Sequence, residues 1–165
     1  MIAFRNALVE ETRRRLIGES IPRLRHCLDI LSDEEIWRRP SPKSNSVGNL
    51  VLHLCGNARQ WIGAGLGQLP DIRNRQAEFD ENGPVPREEL LQLIRETEEM
   101  MEKVLENVQA EDLLRMHAVQ TFEESGLSIL VHVVEHFSYH VGQVSYFTKA
   151  LKDADLGYYR DVKLQ

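Results

Sequence analysis

The chain has 165 residues, 42% of them hydrophobic and 28% charged, which is the balance of a globular protein and excludes a disordered one. That length makes one domain, residues 1–165, with an ordinary core, because a chain of this size buries roughly 70% of its unfolded surface. A net charge of −6, from 26 acids against 20 bases, excludes a general DNA- or RNA-coating role, which needs a concentrated basic face.

The opening residues, Met1 to Asn6, show no apolar signal region or cleavage site, and no stretch approaches the ~20 apolar residues of a membrane span. A cytoplasmic protein is expected, with no membrane partner. Arg13-Arg14-Arg15 and Arg38-Arg39 are flanked by acids and read as a solvated helix face and a helix end. Ile17, Ile21, Leu24, Leu28 and Leu31 form the apolar stripe of a first amphipathic helix. Pro22 falls inside it and predicts a kink or break. His26 lies opposite the stripe, so it should be exposed. Cys27 and Cys55 both sit in helical patterns and are expected as buried, reduced thiols.

Ser32-Asp33-Glu34-Glu35 predicts a capped short helix holding Ile36 and Trp37 and closed by Pro40. A second long helix begins near Asn45 or Ser46, both good N-caps. Its core stripe is Val47, Leu50, Val51, Leu54, Ala58, Trp61 and Ile62, and Gly63, Gly65 and Gly67 wind it down. Gln68 to Pro86 is a long polar connection, of the kind that covers sites. Pro86 opens a third helix with the stripe Leu90, Leu91, Ile94, Thr97, Met101, Val104, Leu105 and Val108. A second irregular stretch, Gln109 to Glu124, has an extended pattern at Met116, Ala118 and Phe122. Ser125 caps a fourth helix reaching about Leu151, and a mixed tail follows from Asp153 to Gln165. The result is an all-α fold: a four-helix bundle in a non-simple up-and-down order, with two long connections.

The chemistry lies in the fourth helix, in His132-Val133-Val134-Glu135-His136-Phe137-Ser138-Tyr139-His140-Val141-Gly142-Gln143. Three histidines recur every four residues. Adjacent ones are offset by about 40° and ~6 Å, so either adjacent pair can share a metal ion. All three cannot, because His132 and His140 stand ~12 Å apart along the axis. A helical wheel puts Leu127, Leu130, Val131, Val134, Val141 and Val144 on the buried side, with Ile129, Val133 and Phe147 extending the apolar arc. His136 and His140 fall within that extension, while His132 lies at the edge of a polar stripe of Glu135, Tyr139, Tyr146 and Lys149. The pair aimed into the bundle is then His136 and His140.

Two imidazoles make a weak site, and His53 is the candidate third ligand. It lies on the second helix beside the core stripe, on the same flank as Asn49, Asn57 and Gln60. Three neutral nitrogens would leave coordination positions open for water or substrate, as in a catalytic site. The competing reading is a set of core histidines serving only as hydrogen-bond partners. A His-Glu-x-x-His protease is excluded, because Glu135 precedes His136 and Phe137 fills the catalytic slot. A ferritin-like di-iron bundle is excluded too, for want of Glu-x-x-His pairs.

Asn45 to Leu54, followed by Asn57-Ala58-Arg59-Gln60-Trp61, resembles the second helix of the DinB-like superfamily. His132 to Gln143 resembles its last helix, where a histidine pair four apart is followed by Gly-Gln. The likeness is to a small uncharacterised bacterial subfamily, and it spans most of the chain. It implies a four-helix bundle, often a homodimer, with one divalent metal ion held by His53, His136 and His140. Zinc, nickel, manganese and iron all suit such ligands. Relatives with known activity imply metal-dependent transfer chemistry on a low-molecular-weight thiol with a small electrophilic substrate, or a hydrolase. The alternative is a non-catalytic metal-binding dimer in stress response or an interaction module. Glu123, Glu124, Asn57, Gln60 and Tyr139 are candidates to touch ligands or substrate. Gln143 either orients a ligand or packs, and packing is the favoured role. No general base is assigned.

Overall fold

A computed structural model describes residues 1–160 and 163. Helix α1 (Ile2–Arg13) passes into a π-helical segment (Arg14–Ser20) and then into α2 (Ile21–Ile30), giving one uninterrupted rod. The expected kink or break at Pro22 does not occur. The reason is the wider turn before it: Ile21 N–H donates to Leu16 O, a five-residue step. In an α-helix the proline ring would strike the carbonyl four residues back, and the extra residue in the π turn relieves that clash.

Helix α3 (Asp33–Trp37) opens on the capping box predicted at Ser32 and Glu35. Helix α4 (Val47–Ala58) starts on a second box. Ser46 Oγ accepts from Asn49 N–H, and the Asn49 side chain accepts from Ser46 N–H. A second π segment (Arg59–Leu66) prolongs this rod through Gly63 and Gly65, so only Gly67 marks its end. Gly65 serves packing, since a Cβ there would press to 3.3 Å on Val119 Cβ.

The first connection holds a short helix, α5 (Arg75–Asp80), capped by Asn74 and invisible in the polar sequence. Helix α6 (Arg87–Asn107) begins one residue after Pro86, which is its N-cap. The second connection folds into an antiparallel hairpin of β1 (Met116–Val119) and β2 (Phe122–Ser125). The extended pattern is therefore real, but its phase is opposite. His117 and Val119 are buried, while Met116 and Phe122 face solvent. Helix α7 (Gly126–Lys152) follows, with Ser125 as its N-cap.

The first rod packs on α6 and α7, and the second rod packs on the same two helices. The first and second rods are therefore diagonal neighbours, which is the non-simple order expected. This arrangement sets α4 directly against α7 and brings their histidines face to face. Leu16, Leu28, Leu54, Ile62, Ile94, Met101, Leu130 and Phe137 fill the shared core. The buried seam of α7 is Ile129, Leu130, Val133, Phe137, Val141 and Val144. Val131, assigned to that seam by the wheel, is instead 52% exposed, and Val134 is only half-buried. The seam is rotated because α7 leaves its Val131–Ser138 side open along a groove of about 1010 Å³ next to the first rod.

Trp37 locks the far end of the first connection. Its indole N–H donates to Val85 O at 3.0 Å, and the ring lies between Gly48 and Gly83, where Cβ atoms would overlap it. Cys27 and Cys55 are buried free thiols, and His26 is exposed. In the tail, Tyr158 Oη contacts Cys27 Sγ at 3.4 Å and Ser145 Oγ at 2.8 Å. Asp161, Val162, Leu164 and Gln165 lie outside the described residues.

Candidate metal centre

His53 projects from the middle of α4, seven residues after the Ser46 cap that fixes the helix start. His136 and His140 project from successive turns of α7. The candidate ligand nitrogens of these three residues all lie within 4.8 Å of one another, close enough to hold a metal ion. His53 Nε2 and His136 Nε2 are 3.0 Å apart. Two nitrogens bound to one zinc ion at ~2.0–2.1 Å stand about 3.3 Å apart in a tetrahedron, so this pair already has the spacing of shared ligands.

The hydrogen bonds behind the rings settle which nitrogens face inward. Glu78 Oε2 lies 2.9 Å from His53 Nδ1. Arg73 Nη2, which only donates, also approaches this nitrogen, but at the longer 3.2 Å. The carboxylate is the nearer partner and only accepts, which favours the proton on His53 Nδ1 and the Nε2 lone pair toward the centre. His140 Nδ1 lies 2.8 Å from Gln143 Oε1, and the same logic leaves His140 Nε2 free. Gln143 therefore orients a histidine, in place of the packing role favoured from sequence: its side chain is exposed, and its side-chain hydrogen bond among the described residues is to that ring. His136 differs, because its Nδ1 is buried with no partner among the described residues.

Electrostatics keep the rings of α7 neutral. Burial first, and then repulsion from His140, His53, His132 and Arg73, pushes the His136 imidazole down to about 3. Burial lowers His140 and His132 as well. Neutral imidazole is the form that ligates a metal. Burial would raise the Glu78 carboxyl, but hydrogen bonds from His53 and Arg73 outweigh it and hold the group below its ordinary range. Arg73 grips Glu78 twice, Nε to Oε1 at 2.7 Å and Nη2 to Oε2 at 2.9 Å.

Glu78 and Arg73 are the functional residues that sequence reasoning missed. They lie in the first connection, which was expected to cover the site but not to reach behind a ligand. The available signal was Asn74 followed by Arg75-Gln76-Ala77-Glu78-Phe79, a capped turn carrying a carboxylate. Phe79 also packs on His53, at 4.8 Å between ring centres.

The remaining candidates separate clearly. Gln60 accepts from Arg73 Nη1 and from Gln120 Nε2 and donates to Asp71, so it ties both connections together at the edge of the site. Asn57 Nδ2 donates to His132 Nε2 at 3.3 Å. His132, placed at the rim by the wheel, is half-buried and stacks on Trp61 with ring centres 3.7 Å apart. Asn57 Oδ1 and Trp61 Nε1 are buried and unpaired among the described residues. Tyr139 meets His140 edge-on at 4.8 Å. Glu124 accepts from Ser128 Oγ at 2.6 Å, on the hairpin and not among the histidines. Glu123 is exposed on β2.

A bundle in which two diagonal rods share α6 and α7, with a histidine cluster between α4 and α7, defines a DinB-like fold. Solved structures agree. A DinB-like protein from Bacillus subtilis is 16% identical and superposes with a TM-score of 0.67, covering 90% of this chain and 94% of its own. A conserved protein from Enterococcus faecalis is also 16% identical, with a TM-score of 0.69 and coverage of 90% and 97%. A DinB-like protein from Bacillus cereus is 18% identical, with a TM-score of 0.63 and coverage of 82% and 87%. At such identities the likeness is one of fold. The chain belongs to the family described as proteins of unknown function, DUF1572, whose model matches residues 8–159. No curated protein matches it. Among the described residues, no helix is long and apolar enough to cross a membrane.

Proposed function

We propose that this chain binds one divalent metal ion through His53, His136 and His140 and uses it in thiol-dependent transfer chemistry. One observation carries the reading. Three imidazoles converge, and Glu78 and Gln143 lie against the Nδ1 atoms of two of them so that Nε2 lone pairs face the centre. Core histidines serving only as hydrogen-bond partners would not need two lone pairs aimed at one point. Zinc, nickel, manganese and iron all accept three such nitrogens.

Three protein ligands leave a coordination position open, which is the arrangement of catalytic sites. A metal ion there lowers the pKa of a bound thiol or water toward neutrality. The chain's own residues do the rest. Phe79 shields one side of His53, and His132, held by Asn57 and Trp61, lines the approach along α7. The substrate in this reading is a small electrophile joined to a low-molecular-weight thiol.

Elemental analysis of untagged protein tests the first half: about one metal per chain is expected, and its loss in His136→Ala. Thiol consumption in the presence of electrophiles tests the second. Metal without turnover would favour the second reading, a non-catalytic metal-binding homodimer. The exposed Val131, Tyr139 and Tyr146 of α7 favour that alternative, because such a face suits a protein partner. No metal in either protein after reloading would end both readings.

A further inference from the structure

The Arg73–Glu78 pair is unusual in where it comes from. Neither residue belongs to a bundle rod. Both are delivered by the first connection, and both side chains are more than nine-tenths buried against α4. The connection is held at several independent points. Asn49 Nδ2 donates to Glu78 O at 2.9 Å and to Glu81 O at 2.8 Å. Arg39 donates to Phe79 O at 2.9 Å. Gln60 and Asp71 bind Arg73 and its neighbours.

The helix beneath is shaped to receive the pair. Gly56 lies one turn beyond His53, and a Cβ there would overlap Glu78 Oε1 and stand 3.0 Å from Arg73 Nε. Gly56 has ordinary helical surroundings on both sides, where alanine would be the better helix former by about 1 kcal/mol. Its value lies in the space it leaves for the carboxylate. That space holds Glu78 Oε1 against Arg73 Nε and so lets Glu78 Oε2 reach His53 Nδ1.

We propose that Glu78, backed by Arg73 and admitted by Gly56, is a positioning residue for His53, and that docking of the Gln68–Pro86 connection and metal capture are one coupled event. The inference rests on the metal-binding reading above. Its physical basis is linkage. The connection fixes the His53 tautomer and ring angle that a metal requires, and a metal that prefers the fixed ring must in turn stabilise the docked connection. The coupling is reciprocal, so each side reports on the other.

The test measures zinc affinity by competition with a chromogenic chelator, together with hydrogen exchange of the amides of residues 71–80, with and without zinc. Glu78→Gln and Gly56→Ala are compared with wild type and with Gly18→Ala, a helix glycine with open space around its Cβ. Wild type should bind zinc, and zinc should slow exchange in 71–80. Gly56→Ala touches no ligand atom, yet it should weaken zinc binding roughly tenfold, the lower end for loss of a partner behind a metal ligand. Zinc should no longer slow exchange in its 71–80 segment. Glu78→Gln should show the same or a larger loss, and Gly18→Ala none. Circular dichroism separates folded variants from unfolded ones, and Gly56→Ala remains informative if Glu78→Gln fails to fold. Wild-type zinc affinity in a folded Gly56→Ala or Glu78→Gln overturns the proposal, as does exchange in 71–80 that zinc leaves unchanged. If wild type itself takes up no zinc, the metal-binding reading fails first, and this inference with it.

Discussion

Acid should weaken this protein before its carboxylates titrate, and His136 should be a main cause. Its imidazole is pushed down to about 3 in the folded chain, first by burial and then by its positively polarised neighbours. In the unfolded chain it titrates near 6.5. Between those values the unfolded state binds a proton that the folded state refuses, so stability falls as pH drops below 6.5 and is untouched above it. Full linkage would cost up to about 1.4 kcal/mol per pH unit. His136 is only half-buried, and discounting for solvent screening leaves about 1 kcal/mol between pH 6.5 and 5.0. His140 and His132 are lowered in the same direction and add to it. The assay is urea unfolding with a chelator present, at pH 7.5 and pH 5.0, for wild type and His136→Leu. The wild-type midpoint should fall by roughly 0.5 M or more, from an m-value of about 1–3 kcal/mol/M. The variant should fall by visibly less. Equal losses in both proteins would refute the claim that burial of His136 creates the acid sensitivity.

Three further outcomes are expected. Gln143→Leu should weaken zinc binding by roughly tenfold while leaving the unfolding midpoint unchanged, since the side chain is exposed and its contact is with His140; chelator competition and urea unfolding check the two halves. Phe137→Ala should cost about 3–5 kcal/mol, because the ring is 1% exposed at the centre of the core, and a chemical denaturation curve measures it directly. Asn49→Ala should cost about 1–3 kcal/mol and open residues 69–86 to limited proteolysis, since its amide holds two carbonyls of that segment.

The sequence exposed those parts of the structure whose causes are local. Ser32, Ser46 and Ser125 cap helices because a hydroxyl next to free N–H groups does so wherever it stands. His53, His136 and His140 were legible as a set because helix periodicity alone brings the latter two to one side. The polar flank of α4 supplied the third. What was hidden depends on partners distant in sequence. Pro22 looks like a break until Leu16 O is known to accept from Ile21. Val131 reads as core on a wheel, because the wheel cannot show that the first rod stands away from α7 on that side. Glu78 lies in six helical residues inside a polar connection, too short for any periodic signal. Its role is set by Arg73, Asn49 and Gly56, none of which marks it in advance.

The two π segments have a consequence for reading related chains. Each wide turn spends one residue more than an α turn to climb the same helix, so each is equivalent to a single-residue insertion absorbed without breaking the rod. The extra residue lies before Pro22 in one rod and after His53 in the other. An ancestor or cousin without the first wide turn would have to drop Pro22 or bend there. One without the second would keep His53 and Asn57 in place but turn every side chain beyond Ala58 by about 100°. The histidine could then be inherited unchanged while the surface formed by Trp61 diverged. A correspondence with a bundle that lacks the wide turn would therefore carry a one-residue gap at Arg59–Leu66.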